Sequence, residues 1–194
     1  MRCVLVALGV RNVTFDPFEP FVPPQFGIKL ADERWEHDEA LALRRYVFCH
    51  EQHIFASDDR DRVDESGRAT TIVAVDYIMG MTHRVVGTVR IAETAPGVWY
   101  GSRLAIAPAY RKTYGLGSGL IYRAVTTAHG RGAHTFLAYV QHNNVALFER
   151  LAWTTHETCE LHGLAHALMA ADLRAYPAAG ASAGATVLHT RRAS

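Results

Sequence analysis

Three alternate glycines, Gly115, Gly117 and Gly119, stand between a strand-like run and a helix-like run, and no other feature constrains the chain as much. The run before them, Val98–Ala107, is rich in β-branched and aromatic residues. The one after repeats Leu116, Leu120, Ala124 and Ala128 at steps of four. A strand that turns through glycines into a helix leaves backbone N–H groups and the positive end of a helix dipole open to an anion. Arg111 and Lys112 add charge beside them. A diphosphate is the natural occupant, and a glycine-rich turn without ligand is the plain alternative. The nucleotide loops do not fit. There is no Gly-Lys-Ser/Thr, and the three glycines lack the final spacing of G-x-G-x-x-G.

The remaining pattern frames this unit. Phe26–Ala31 reads as a first strand, and Trp35 to about Gln52 as a helix with Ala40, Leu43 and Val47 on one stripe. Further strands are expected over Thr71–Met79, Arg84–Glu93, His134–Val140, Thr154–Leu161 and Ala165–Ala171, with a helix over Asn143–Leu151. That order implies a mixed α/β sheet with helices on both faces. The proline-rich residues 1–25 are read as an extended N-terminal arm, 26–176 as the domain, and 177–194 as a flexible C-terminal tail.

A chain of 194 residues can bury one substantial core. Its net charge of +1 carries no polyanion signature, so neither nucleic acid nor a membrane is an expected partner. The three cysteines, Cys3, Cys49 and Cys159, are odd in number and scattered, which fits a reducing cytoplasm rather than a disulfide framework. The apolar run within Met1–Val10 is too short to cross a bilayer and precedes no small-residue cleavage pattern, so secretion is not expected. His50-Glu-Gln-His53 lacks the H-E-x-x-H spacing. His162 and His166 can approach each other on one strand, but no metal is expected.

Ile106-Ala-Pro108 followed by Lys112-Thr-Tyr-Gly115-Leu-Gly117 resembles the acyl-CoA loop R/Q-x-x-G-x-G/A of the GNAT superfamily of N-acetyltransferases. Either Arg111 stands one place early, or Lys112 takes the Arg slot. Asn144 followed by Leu147-Phe148-Glu-Arg-Leu-Ala152-Trp153 resembles the family's second signature, an Asn and then L-Y-x-x-x-G-F. Leu43–Gln52 with Asp58-Asp59-Arg-Asp61, together with Val86–Ile91, Gly97–Gly101 and Phe148–Trp153, is similar to one bacterial subgroup linked to nitrogen starvation. The first of these stretches is also similar to acyl-homoserine lactone synthases.

The resemblance implies a GNAT fold: a mostly antiparallel mixed sheet of about six or seven strands, splayed between the fourth and fifth. It implies acetyl-CoA, or another acyl-CoA, as co-substrate. Leu104 and Ile106 would bind its pantetheine. Arg111, Lys112, Thr113, Tyr114, Gly115, Leu116, Gly117 and Ser118 would hold the pyrophosphate, and Asn144 and Phe148 would meet the arm near the sulfur. A small-molecule amine is the implied partner. Homodimers are common in the family, and the apolar run Ala165–Ala171 is compatible with one.

Attack of an amine on a thioester needs a base for the ammonium and an acid for the thiolate. Many relatives use the signature Tyr as acid, but here Phe148 stands in its place. Tyr139, His142 and Cys159 are the nearby candidates. Glu51 continues the stripe Leu43, Val47, so burial would raise its carboxyl toward a base's range, unless it is a surface Glu paired with Arg44 or Arg45. Asp58, Asp59 and Asp61 form either an ammonium-binding loop or a solvated one. Period-two counting puts Arg90 on the face of Val86 and Thr88, to meet that loop or a substrate carboxylate. Of the next strand's pair, Trp99 suits the core and Tyr100 the substrate side. The leading expectation is an acetyl-CoA-dependent N-acyltransferase of a small, zwitterion-like amine. The alternatives are an acyl-homoserine-lactone-synthase-like enzyme, which the glycine loop disfavours, and a catalytically silent acyl-CoA-binding protein, which Phe148 permits.

Overall fold

The computed structural model describes residues 25–113, 115–180 and 186–189. The expected N-terminal arm and Tyr114 lie outside the described residues. The chain begins with β1 (Gln25–Leu30), and α1 (Arg34–Arg45) follows behind a reciprocal cap between Glu33 and Glu36. Without a break α1 widens into a π-type turn, Tyr46–Glu51. The acidic loop holds a short helix, α2 (Arg62–Glu65), which starts where the Asp61 carboxylate accepts from the Val63 and Asp64 amides.

Strands β2 (Thr70–Ile78), β3 (Met81–Ala95) and β4 (Val98–Ile106) form the expected meander. Then come α3 (Leu116–Gly130), β5 (Thr135–Gln141), α4 (Val145–Arg150), β6 (Trp153–Leu161) and β7 (Leu164–Ala171). Thr186–His189 adds β8, antiparallel to β1, so this part of the expected tail is a strand and not structureless. The sheet order is β6-β7-β5-β4-β3-β2-β1-β8, and the fold is mixed α/β with β4 and β5 as its parallel pair. The run Ala165–Ala171 is flanked by β5 and β6, so it offers no free edge to a second copy.

Strand alternation sorts the core onto two faces. Ile72 and Ala74 of β2 pack with Leu116, Leu120, Ala124 and Ala128 of α3, while Val73 and Val75 pack with Ala40 of α1. Period-two counting fails within β3. A bulge in β3 opposite Ala74 and Val75 puts Val86 in the α3-side core, whereas Arg90 points to the α1 side. Gly87 matters here because a methyl on it would lie 2.9 Å from Cδ1 of the fully buried Leu120.

Leu120→Ala is expected to cost about 2–5 kcal/mol, and Gly87→Ala about 1–3 kcal/mol through overpacking. Because the two side chains compete for one space, the double variant should lose less than the sum of the single losses in denaturant titrations.

Candidate active site

β4 and β5 pair only from Val98–Thr135 to Gly101–Ala138. Beyond that point β4 continues to Ile106 and β5 to Gln141, and they part. Gly101 sits at the last pair because a Cβ there would lie 3.0 Å from the Phe136 ring. On its other side β4 bulges. Ser102 pairs with Arg90 and Ala105 with Thr88, so Arg103 and Leu104 together oppose Val89, and Arg103 takes a left-handed φ of 55°. The opening is a cavity of about 370 Å³ that passes between the strands. Phe136, Phe148 and Trp153 line it on the α3 and α4 side. Phe55, Arg103, Tyr139 and Gln141 line it on the α1 side.

The α1-side wall is a charge network. Arg44, 2% exposed, donates from Nε to Asp59 at 2.7 Å and from both terminal nitrogens to Asp64 at 2.8 and 2.9 Å. Arg90 donates to Asp61, to Asp64 at 2.7 Å and to Ser102 at 3.0 Å. Arg103 meets Asp59 at 3.0 Å and Asp61 at 3.1 Å, with its guanidinium over the Phe55 ring. Three arginines thus meet three aspartates. Burial pushes the Asp64 and Asp61 carboxyls up, but the guanidiniums of Arg44 and Arg90 outweigh it and hold both below the usual carboxylate range.

This corrects the expectation for the acidic loop. Asp59 is buried against Arg44 and Arg103, Asp61 is partly exposed but held by Arg90 and Arg103, and Arg90 meets Asp61 and Asp64, the acidic-loop alternative expected for it. The charges expected to hold a zwitterionic substrate are thus largely paired with one another. Asp58 is exposed and lies 3.4 Å from Arg45.

Beyond β4 the chain turns through Pro108–Tyr110 to Gly115, whose φ of 82° only glycine adopts without strain. Gly115 precedes the first turn of α3, where N–H groups have no intrahelical partner. Gly117 and Ser118 lie in that turn, the Ser118 hydroxyl donating to the Gly115 carbonyl at 3.2 Å. Lys112 is exposed and has the R-x-x-G spacing. A second cavity, of about 570 Å³, runs from Gly115 and Ser118 along Tyr122 to Arg150 of α4 and Tyr176.

Glu51 does not occupy the expected place. It is not among the cavity's lining residues, and it binds Arg111 through two contacts of 2.5 and 2.6 Å. The Arg111 guanidinium holds its carboxyl below the usual range, the opposite of the rise expected from burial. Its partner is Arg111 rather than Arg44 or Arg45, so Arg111 is engaged before any ligand arrives. Its Nε also donates to the Ile106 carbonyl at 3.2 Å.

Leu104, Asn144 and Phe148 line the main cavity, and Phe148 packs edge-on against Trp153. Ile106 lies against the first turn of α3, where a methyl on Gly117 would meet its Cδ1 at 3.3 Å. Thr113 accompanies the loop without a side-chain bond of its own among the described residues. Trp99 is buried in the core, while Tyr100 lines the cavity with its ring against Tyr139, centroids 6.3 Å apart. Burial and the neighbouring Tyr100 push the Tyr139 hydroxyl up from its ordinary value. His142 is exposed and Cys159 half-exposed, and neither lines the cavity.

Sequence reasoning missed four residues of the site. Arg103 reads as an ordinary strand charge until the bulge turns it inward. Phe55 and Gln52 come from the loop after α1, and the Gln141 amide donates across the opening to Gln52 at 3.0 Å.

A central sheet parted between two parallel strands, with a glycine-capped helix at the opening, is an acetyltransferase architecture. The chain belongs to the acetyltransferase (GNAT) family, whose model matches residues 30–153. The same fold occurs in a candidate N-acetyltransferase from Lactobacillus plantarum (21% identity, TM-score 0.65), covering 75% of this chain and 97% of that one. It occurs in Escherichia coli ElaA (19%, 0.62), covering 75% and 99%, and in an acyl-CoA N-acyltransferase from Pseudomonas aeruginosa (22%, 0.62), covering 75% and 97%. Comparison with curated proteins finds no match. Among the described residues no helix is long and apolar enough to cross a membrane.

Because the Asp61 and Asp64 carboxyls are lowered by folding, their stabilisation is complete above the unfolded value of about 3.9 and is lost as pH falls below it. Asp64→Asn should lower stability at neutral pH by about 3–5 kcal/mol, since it leaves three part-buried arginines on two aspartates. It should also flatten the acid limb of a stability-versus-pH curve.

Proposed function

We propose that this protein transfers an acyl group, most simply acetyl from acetyl-CoA, to the amine of a small molecule by direct attack in a ternary complex. The observation that carries the reading is the coincidence of the parted β4–β5 edge with the left-handed Gly115 turn at the start of α3. Leu104 and Ile106 present backbone groups on the open edge of β4 to the pantetheine, and the bulge at Arg103–Leu104 frees an N–H to polarise a carbonyl. Gly115 to Ser118, with Lys112, receive the diphosphate, and Asn144 flanks the arm. When bound, acetyl-CoA supplies an acyl group already activated as a thioester.

The amine enters from the opposite, α1 face, between the neutralised wall and Tyr100, Phe55 and Tyr139. The aromatic lining and internally balanced charges favour an amine on an apolar body. Tyr139 takes the proton-donor role that Phe148 cannot fill, since a hydroxyl whose pKa is raised keeps its proton for the departing sulfur. The motif similarity over Leu43–Gln52 and Phe148–Trp153 supports placing the protein with the nitrogen-starvation subgroup, acting in the cytoplasm. Phe148 also supports a second reading, a silent acyl-CoA binder, which the thiol-release assay below separates.

Titration calorimetry should show acetyl-CoA binding that Gly117→Glu abolishes. A carboxylate in the first turn suits the helix dipole, so the variant should stay folded while repelling the diphosphate. No binding by folded wild type overturns the reading. Tyr139→Phe should slow thiol release by about 10–100-fold, with unchanged acetyl-CoA affinity. An absence of thiol release with every amine in a broad panel favours the silent binder.

A further inference from the structure

Among the described residues no carboxylate lines the main cavity. Asp59, Asp61 and Asp64 beside it are bound to arginines, Glu51 is held by Arg111, and Glu157 of β6 acts on Tyr139 from outside the lining. An ammonium substrate in the cavity therefore touches no carboxylate of the described residues. Two imidazoles do line the cavity, His162 and His166, both carried by the β6–β7 hairpin that covers it.

The two differ in what their ring nitrogens can do. His162 sits in the hairpin turn with a φ of 54° and packs edge-on against Phe55, centroids 4.9 Å apart. His166 lies within β7, half-buried, with Nδ1 2.8 Å from the Leu164 carbonyl oxygen. A carbonyl oxygen only accepts, so Nδ1 carries the hydrogen, and the neutral ring keeps its lone pair on Nε2. Among the described residues no hydrogen bond engages that Nε2.

The register places His166 beside Tyr139 on the cavity-lining face. His166 is opposite Gln141 of β5, and Tyr139 is opposite Leu168. Alternation puts Tyr139, Gln141 and His166 on one face, with Tyr139 and His166 diagonal neighbours roughly 7–8 Å apart at Cα. The titratable and charged groups around His166 are Tyr139 on β5, Cys159 and Glu157 on β6, and His162 in the turn. Across the cavity stand Arg90 and Arg103, each already paired with aspartate.

We infer that His166, through Nε2, is the general base that takes the proton from the substrate ammonium, an inference that rests on the N-acyltransferase reading above. One N–H proton passes to Nε2 and leaves to solvent after turnover. The freed nitrogen lone pair forms the C–N bond at the thioester carbonyl, and the C–S bond breaks with its electron pair on sulfur. The sulfur takes the Tyr139 proton, and the second N–H proton of the former amine restores it. The products are a neutral amide, a free thiol and one released proton, so charge and atoms balance.

The test compares wild type with His166→Asn, whose amide can still donate to the Leu164 carbonyl but has no basic nitrogen. Two nucleophiles are used with acetyl-CoA: benzylamine, an ammonium ion near neutral pH, and methoxyamine, already neutral there. The variant should bind acetyl-CoA like wild type and lose about 10²–10⁴-fold in kcat/KM with benzylamine. It should keep most of its rate with methoxyamine and lose the acidic limb of the pH profile. Should His166→Asn fail to fold, His166→Ala regaining benzylamine transfer on addition of imidazole carries the same information. Nitrogen NMR of histidine-labelled wild type gives an independent readout, with His166 protonated at Nδ1 and bare at Nε2. An unchanged benzylamine rate, equal losses with both nucleophiles, or an Nε2–H tautomer overturns the assignment while leaving the cofactor reading intact. Wild type that binds acetyl-CoA yet acylates neither amine overturns the transferase reading and the base together.

Discussion

Everything distinctive in this molecule follows from two parallel strands that stop pairing after Gly101 and Ala138. Backbone N–H and C=O groups in a sheet interior need partners, and an unpaired edge there would be costly if nothing were to fill it. In the reading proposed above, an extended, amide-bearing arm entering between the strands would complete the ladder. The local sequence enforces the parting. Gly101 lets Phe136 close in at the last pair, and the Arg103–Leu104 bulge twists β4 away from β5. The left-handed Gly115 then starts α3, whose first turn lies against Ile106 at the end of β4.

The second organising element is the neutralised wall on the α1 side. Arg44 and Arg90 are buried strand and helix residues that the fold tolerates only because Asp59, Asp61 and Asp64 meet them at close range. The network ties α1, α2, β3 and β4 into one rigid face. Its charges cancel internally, so the cavity it bounds is shaped by aromatic rings and by a few uncommitted polar groups.

Much of this was legible in the sequence. Each strand from Phe26 to Ala171 lies where its β-branched and aromatic residues place it, and the glycine loop and Asn144 marked the two sides of the opening. What was not legible depends on tertiary partners. Glu51 carries the right periodicity for burial, but Arg111, sixty positions away, holds it at the surface. The aspartate-rich segment looks like a solvated loop because nothing local announces that Arg44, Arg90 and Arg103 converge on it. Arg90 was assigned to the face of Val86 because a bulge leaves no mark in a two-residue count. The strand at Thr186–His189 was hidden by its small, polar flanks, and is fixed by pairing with β1.

The central claim, that the opening between β4 and β5 is the acyl-CoA site, is tested most directly by amide hydrogen exchange with and without acetyl-CoA. The account predicts slowed exchange confined to residues 102–106 of β4, 115–119 at the start of α3 and 139–144 at and just after the end of β5. Protection elsewhere, or none at saturating acetyl-CoA, would contradict it.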